Sequence, residues 1–190
     1  MFTVMKNTRM NEQTVLILDP RGNIVLGGSD VINRHILYAN SLAKLGRAKN
    51  LKLRVFSALT SNTPNINANP LNIDLISKPT FNFYKFAKSC SKAIKAKRID
   101  ISLLVTGDPW ESYWSAYFLN KFLKRKIPIE IQVHGDIAHP LWKKINLKNR
   151  FRFYLAKISL NKCEVIRCVN NQQKLNLINA FGIDKKKIIV

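Results

Sequence analysis

Seven short runs rich in valine, isoleucine and leucine recur along this chain, and helix-patterned segments separate them at every junction but one. This alternation constrains the fold more than any other feature, because parallel strands must be joined by crossovers long enough to hold a helix. The runs cover residues 14–18, 51–57, 73–76, 101–105, 129–133, 164–169 and 187–190. Apolar residues at helical spacing mark 31–45, 81–98, 110–118, 140–162 and the stretch onward from Asn170, with Gly46 ending the first of these. Residues 60–70, loaded with Asn, Pro, Ser and Thr, read as a loop. The pattern predicts an α/β fold: a Rossmann-like, mostly parallel sheet flanked by helices, in a single domain at 14–190 behind a polar leader at 1–13.

Composition narrows the function classes. At 190 residues and 46% hydrophobic content the chain can bury a real core, which excludes a disordered protein. No apolar run is long enough to span a bilayer, and the amino terminus lacks the apolar segment of a secretory signal, so the expected location is cytoplasmic, soluble or peripheral at a membrane face. Cys90, Cys163 and Cys168 are odd in number and form no CxxC pair, and His35, His134 and His139 form no HExxH pair. The cysteines therefore read as buried fillers, and no metal is expected. The formal charge of +21 attracts polyanions, be they nucleic acid, anionic lipid or phosphorylated substrate. A compositional bias toward Lys, Asn and Ile is a competing origin of that charge.

The residues just past the strands carry the chemistry. In an open parallel sheet the ligand crevice lies beyond the carboxyl ends of the strands. Four polar sites fall there: Gly27-Gly28 with Ser29 and Asp30, Asp108 within Thr106-Gly107-Asp108-Pro109-Trp110, His134-Gly135-Asp136, and Asn170-Asn171. Ser29 or Asp30 can cap a helix whose positive end, opened by glycines, accepts an anion such as a phosphate; equally, the helix start needs only permissive glycines. Asp108 reads as a helix cap or a ligand contact, and His134 as a site residue or the partner of a nearby backbone group. Residues 140–162 carry seven lysines and arginines and no acid, interleaved with Trp142, Phe151, Phe153 and Tyr154. Such a helix suits an anionic membrane, or packs its aromatics on the sheet with solvated cations outside.

These features, in this order, resemble the N-terminal domain of the GT-B-fold glycosyltransferases, in particular the large retaining family that includes sucrose, mannosyl and lipopolysaccharide sugar transferases. Gly27-Gly28-Ser29-Asp30 before a helix looks like that family's GGxE/D motif, Leu42-Ala43-Lys44-Leu45-Gly46 leads into a strand, Val133-His134-Gly135-Asp136 matches its strand ending in HG, and residues 163–170 match a strand ending in a small polar pair. The resemblance, over about 14–190, implies the acceptor-binding half of an enzyme that moves a sugar from a nucleotide sugar to a lipid-linked or envelope saccharide. It implies donor-phosphate contacts at Gly27 and Gly28, a catalytic His134 near the transferred sugar, and acceptor contacts at Asp30, Asp108, Asp136 and His139. It also implies no cofactor beyond the nucleotide-sugar donor, and no metal, because basic side chains stabilise the leaving diphosphate. The family's nucleotide site belongs to a second, C-terminal domain, so the expectation is a truncated or split enzyme, inactive alone, whose partner is that donor domain or a separate subunit.

Two other readings compete. A noncatalytic basic α/β module would bind nucleic acid, but the lysines spread over several helices and no DNA- or RNA-binding signature is present. A dinucleotide enzyme lacks its GxGxxG after the first strand.

Overall fold

The computed structural model describes residues 13–45, 51–58, 71–76 and 82–190. The expectations for residues 1–12, the stop at Gly46 and the loop at 60–70 lie outside the described residues. Among the described residues seven strands form one sheet: β1 (Gln13–Asp19), β2 (Leu51–Ala58), β3 (Asn72–Ile76), β4 (Asp100–Thr106), β5 (Ile129–Val133), β6 (Val165–Cys168) and β7 (Ile188–Ile189). Their order is β3-β2-β1-β4-β5-β6-β7 and every pairing is parallel, more uniform than expected from the sequence. The helices are α1 (Asn23–Leu26), α2 (Gly28–Leu45), α3 (Phe83–Lys97), α4 (Glu111–Leu123), α5 (Leu147–Lys162) and α6 (Asn171–Phe181). Among the described residues, no helix is long and apolar enough to cross a membrane.

The two-residue period of the strands builds two cores. Leu16 and Leu18 of β1 and Phe56 and Ala58 of β2 point to one face, where α3, α4, α5 and α6 bring Phe86, Tyr113, Leu119, Leu160 and Leu177. Ile17, Leu53, Val55 and Val105 point to the other, against Ile24 of α1 and Val31, Ile32, Ile36, Ala39 and Leu42 of α2. Burying each large side chain contributes about 1.5–3 kcal/mol. The larger core therefore carries most of the stability. In β5, Ile129, Ile131 and Val133 are buried on the first face, while Glu130 and Gln132 face the second and are only half covered. In β6 Arg167 is exposed. Among the described residues only α1 and α2 cover that face, packing on β1, β2 and β4, and no described helix lies on it beside β5 and β6.

Asparagine caps three helices: the side chains of Asn82, Asn146 and Asn170 accept from backbone N–H groups of α3, α5 and α6 at 2.7–3.2 Å. Each cap contributes about 1 kcal/mol. All three cysteines are free and buried, as read from the sequence.

The segment after β1 differs from expectation. The turn chemistry of residues 19–23 does form a turn, closed by the Gly22 N–H on the Asp19 carbonyl at 3.2 Å, but one helical turn, α1, follows at Asn23 and α2 already starts at Gly28, so Ser29 and Asp30 lie inside its first turn instead of capping it. The cause is Asp19. Its Oδ1 accepts the N–H of Asn23 at 3.0 Å and its Oδ2 that of Ile24 at 2.8 Å, doing the capping that Gly22, at φ 76°, has no side chain to do. The glycines join the two helices. A Cβ on Gly27 would lie 2.6 Å from both the Asn23 carbonyl oxygen and Val31 Cγ2, and Gly28 holds φ 76°.

Candidate functional site

The chain runs from β1 outward to β3 and then returns to β4 on the other side of β1. Crossovers leaving in opposite directions part at the β1/β4 carboxyl ends, and this is where a doubly wound sheet opens a crevice. A cleft of about 350 Å³ lies there. Asp19 and Asn23 line it from the end of β1, Val31, Arg34, His35 and Tyr38 from α2, Gly107, Asp108 and Ser112 from the start of α4, and Gln132 and His134 from β5.

The two carboxylates in the cleft are engaged. Asp19 is buried and, besides its two backbone donors, takes the Ser57 hydroxyl at 2.8 Å. Asp108 accepts the N–H groups of Trp110 at 2.8 Å and Ser112 at 3.2 Å on Oδ1, and the Ser112 hydroxyl at 2.6 Å on Oδ2. It thus caps α4, as one reading of the sequence has it, and also lines the cleft. Asp19 was not singled out from the sequence.

His134 is the unengaged group. Its ring hydrogen-bonds to no described residue and stays accessible at the cleft mouth. Partial burial lowers its pKa below the ordinary 6.5, and the positive charges of Arg34 and Arg167, with a smaller contribution from His35, push in the same direction. At neutral pH the ring is uncharged and offers one donor and one acceptor.

The other residues singled out from the sequence scatter around the cleft. Gly27 and Gly28 do not line it, but they lie in the chain between Ile24 and Val31, which do. Asp30 is exposed on the first turn of α2. Asp136 accepts from Asn176 of α6 at 3.0 Å, and His139 Nδ1 accepts the Leu141 N–H at 3.3 Å, so both belong to the loop after β5 and not to the cleft lining. That loop is held to α6 by Gln173, which donates to the Gly135 carbonyl at 2.8 Å. Among the described residues no cluster of three His, Cys, Asp or Glu side chains could hold a metal ion.

Sequence reading missed Arg34, His35, Tyr38, Gln132 and Arg167. Their signal was present as periodicity: Val31, Arg34, His35 and Tyr38 share one face of α2, and Gln132 and Arg167 are the polar members of alternating strands. What could not be read was that the two rows meet. Arg167 packs its guanidinium on the Tyr38 ring, 5.4 Å from the centroid, and His35 meets the same ring edge-on at 5.8 Å.

Beside the cleft, Glu111 of α4 ties the loop after β1 to α5 by pairing with Arg21 and, at 3.0 Å, with Arg152. Burial would raise its carboxyl, but the two guanidiniums and a backbone hydrogen bond outweigh that and hold it below the ordinary 4.5. A carboxyl with a lowered folded-state pKa adds stability that is present above the unfolded value and disappears as pH falls through the folded one. Glu111→Gln is therefore expected to cost about 1–3 kcal/mol near neutrality, and the gap to the parent should narrow as pH falls below the ordinary 4.5 and through the lowered folded-state value, read as urea midpoints across pH. A gap independent of pH would show that the pair contributes no charge-dependent stability.

No family model matches the chain, and no curated protein matches it. Among solved structures it is similar to sucrose-phosphate synthase from Thermosynechococcus elongatus, with a TM-score of 0.60 and 15% identity over 88% of this chain and 45% of that one. It is also similar to a putative UDP-N-acetylglucosamine 2-epimerase from Listeria monocytogenes, with a TM-score of 0.54 and 15% identity over 95% and 44% of the two chains. Os79 from O. sativa, solved in complex with UDP, gives a TM-score of 0.54 and 9% identity over 90% and 51%. At such identities the likeness is one of fold, and the chain spans about half the length of the structures it matches. Its seven-stranded parallel sheet has the fold of one Rossmann-like half of a GT-B protein.

Proposed function

We propose that the chain is the acceptor-binding half of a glycosyltransferase, moving a sugar from a nucleotide sugar to a lipid-linked or envelope saccharide together with a second, nucleotide-binding half. The observation that carries this reading is the cleft at the β1/β4 switch, of a volume suited to a small ligand, with the imidazole of His134, bonded to no described residue, at its mouth. In this reading the bond from the sugar's anomeric carbon to the diphosphate breaks, the acceptor hydroxyl oxygen bonds that carbon, and its proton leaves with the departing phosphate. A neutral His134 hydrogen-bonds a hydroxyl of the transferred sugar and steadies positive charge at the anomeric carbon. Of the acceptor contacts, Asp108 lies in the cleft and holds its own loop as well, while Asp30, Asp136 and His139 lie outside the lining and would meet a part of the acceptor that extends beyond it, as Gly27-Gly28 at the α2 start would meet donor phosphates outside the cleft. Basic side chains, not a metal, offset the charge of the leaving diphosphate.

The membrane half of the reading rests on α5 and the turn before it. Leu147 is 82% exposed, Ile145 68% and Phe151 65%, flanked by Lys143, Lys144, Lys148 and Arg150. Phe153 alone of the α5 aromatics is buried, so packing on the sheet does not account for the rest. An apolar groove between Phe83, Trp110, Trp114, Phe151 and Leu155 runs beside this face, where a lipid tail would fit. Cations near an anionic bilayer contribute about 1 kcal/mol each. A peripheral place at the inner face of the membrane follows.

The test has two arms. The 190 residues alone are expected to turn over neither UDP-glucose nor UDP-N-acetylglucosamine, to bind both more weakly than about 1 mM, and to sediment with anionic but not with zwitterionic vesicles. Turnover by the chain alone would overturn the two-half reading. Steeply salt-dependent binding to a DNA duplex in preference to vesicles would favour the basic nucleic-acid module.

A further inference from the structure

A second concavity, of about 700 Å³ against 350 Å³ for the cleft, lies at the amino ends of β5 and β6, the opposite end of the sheet from His134. One face of α4 and its cap forms the wall, since Tyr113, Tyr117, Asn120, Lys121 and Lys124 recur at helical spacing. Ile127 and Ile129 add apolar surface from the start of β5, and Lys162 and Glu164 join from the α5/β6 junction. The charge in this pocket is one-sided: Lys121, Lys124, Arg125, Lys126 and Lys162 line it, against Glu164 alone among the described residues of the lining. Arg125 pairs with Asp100 at 3.0 Å and Lys121 lies over the Tyr117 ring at 5.5 Å, but the side chains of Lys124, Lys126 and Lys162 meet no described partner. Glu164 gives one oxygen to the Ile129 N–H at 2.7 Å. The carbonyl ends of α4 and α5 point to the same region, and they are already taken. The Arg125 and Lys124 N–H groups close α4 on the Asn120 and Lys121 carbonyls, and Lys187 donates to the carbonyls of Asn161 and Cys163 at 2.9 and 3.0 Å.

A further observation does not depend on the lysines. Tyr113 is 2% exposed, yet its hydroxyl bonds to no described residue and is not sealed off from the pocket that it lines. Burial, with the nearby Cys163, Glu164 and Tyr117, pushes its pKa up to about 12, so it keeps its proton at neutral pH. We propose that this pocket binds an oligophosphate, whose charged chain spans the lysines of the α4 cap and of α5 while the Tyr113 hydroxyl donates to one of its oxygens. A chain of phosphates carries charge on every group, so it answers several separated cations, which a single phosphate does not. The volume is that of a nucleotide-sized ligand, and Tyr117, Ile127 and Ile129 give it apolar lining. The chain can come from a free oligophosphate or from a nucleoside triphosphate, and the experiment separates the two. A ligand held at this end of the sheet does not reach His134, so the proposal stands independently of the acceptor-half reading.

Binding to the whole chain is followed by calorimetry at physiological salt with no divalent cation added. Tripolyphosphate and ATP are expected to bind saturably with Kd below about 0.1 mM, and inorganic phosphate and UDP-glucose, which carry fewer charges, more weakly than about 1 mM. Lys126→Gln and Lys162→Gln, both exposed, should each weaken tripolyphosphate at least about tenfold with unfolding midpoints unchanged. Tyr113→Phe, which keeps the ring, should weaken it about threefold or more. Lys88→Gln removes the same charge from the exposed side of α3 and should change nothing. ATP binding about tenfold tighter than tripolyphosphate, and lost in the same variants, supports the site in its nucleotide form; equal affinities support it as a site for the phosphate chain itself. Binding that survives both Lys126→Gln and Lys162→Gln, or that Lys88→Gln weakens as much, overturns the proposal, as does the absence of saturable binding below about 1 mM.

Discussion

Alanine in place of Asp19 is expected to lower the unfolding free energy by about 3–5 kcal/mol, a large share of the 5–15 kcal/mol that holds a domain together. The carboxylate is 6% exposed and receives three hydrogen bonds, from the backbone of Asn23 and Ile24 and from the Ser57 hydroxyl. A hydrogen bond to a charged group contributes about 1.5–3 kcal/mol, and its loss leaves donors without an acceptor at the base of the cleft. Ser57 belongs to β2 and Asn23 to α1, so one side chain pins the first crossover to the neighbouring strand. Asp19→Asn should recover only part of the loss, because one of its two oxygens is replaced by an amide that can only donate. Urea unfolding measures both. A loss below about 1 kcal/mol in the alanine variant would mean that water replaces the carboxylate without penalty and that α1 does not depend on it.

His134→Ala is expected to leave stability within about 0.5 kcal/mol of the parent, since the ring is accessible and bonds to no described residue. Together with its nucleotide-binding half, the same variant should lose about 10²–10³-fold in kcat, the scale on which removal of one polar group facing a developing charge is felt. The acceptor KM should move far less, because the histidine acts on the transferred sugar and the acceptor is held elsewhere. The pH profile gives a second check. Burial and neighbouring positive charge lower the His134 pKa, so the active neutral ring persists below 6.5 and the acid limb should fall at lower pH than for a free imidazole. A full-rate alanine variant would remove His134 from the chemistry.

The strands were legible because each buries alternate or successive β-branched residues, a pattern local to five or so positions. The long helices were legible for the same reason at their own period. The one-turn helix α1 was not, because its start depends on the carboxylate of Asp19 folding back over four residues and then bonding Ser57, 38 positions away. The candidate site was legible where a polar residue follows a strand directly, as His134 and Asp108 do. Asp136 and His139 sit in an equally polar stretch, yet the loop is drawn toward α6 by Gln173 and Asn176, a contact with no local signature. Arg34 and Arg167 looked like two of thirty-two dispersed cations.

By itself the sequence determined a parallel α/β sheet and the places where strands hand over to polar loops, since both follow from periodicity and turn chemistry over a few residues. Only the tertiary structure decided the strand order, and the order sets which loops become neighbours. The crossover from β3 back to β4 puts the ends of β1, β4 and β5 side by side, and no described helix covers one face of the sheet beside β6. That choice is made by packing two cores across residues far apart in the chain, and it brings Arg167 onto Tyr38 across 129 positions.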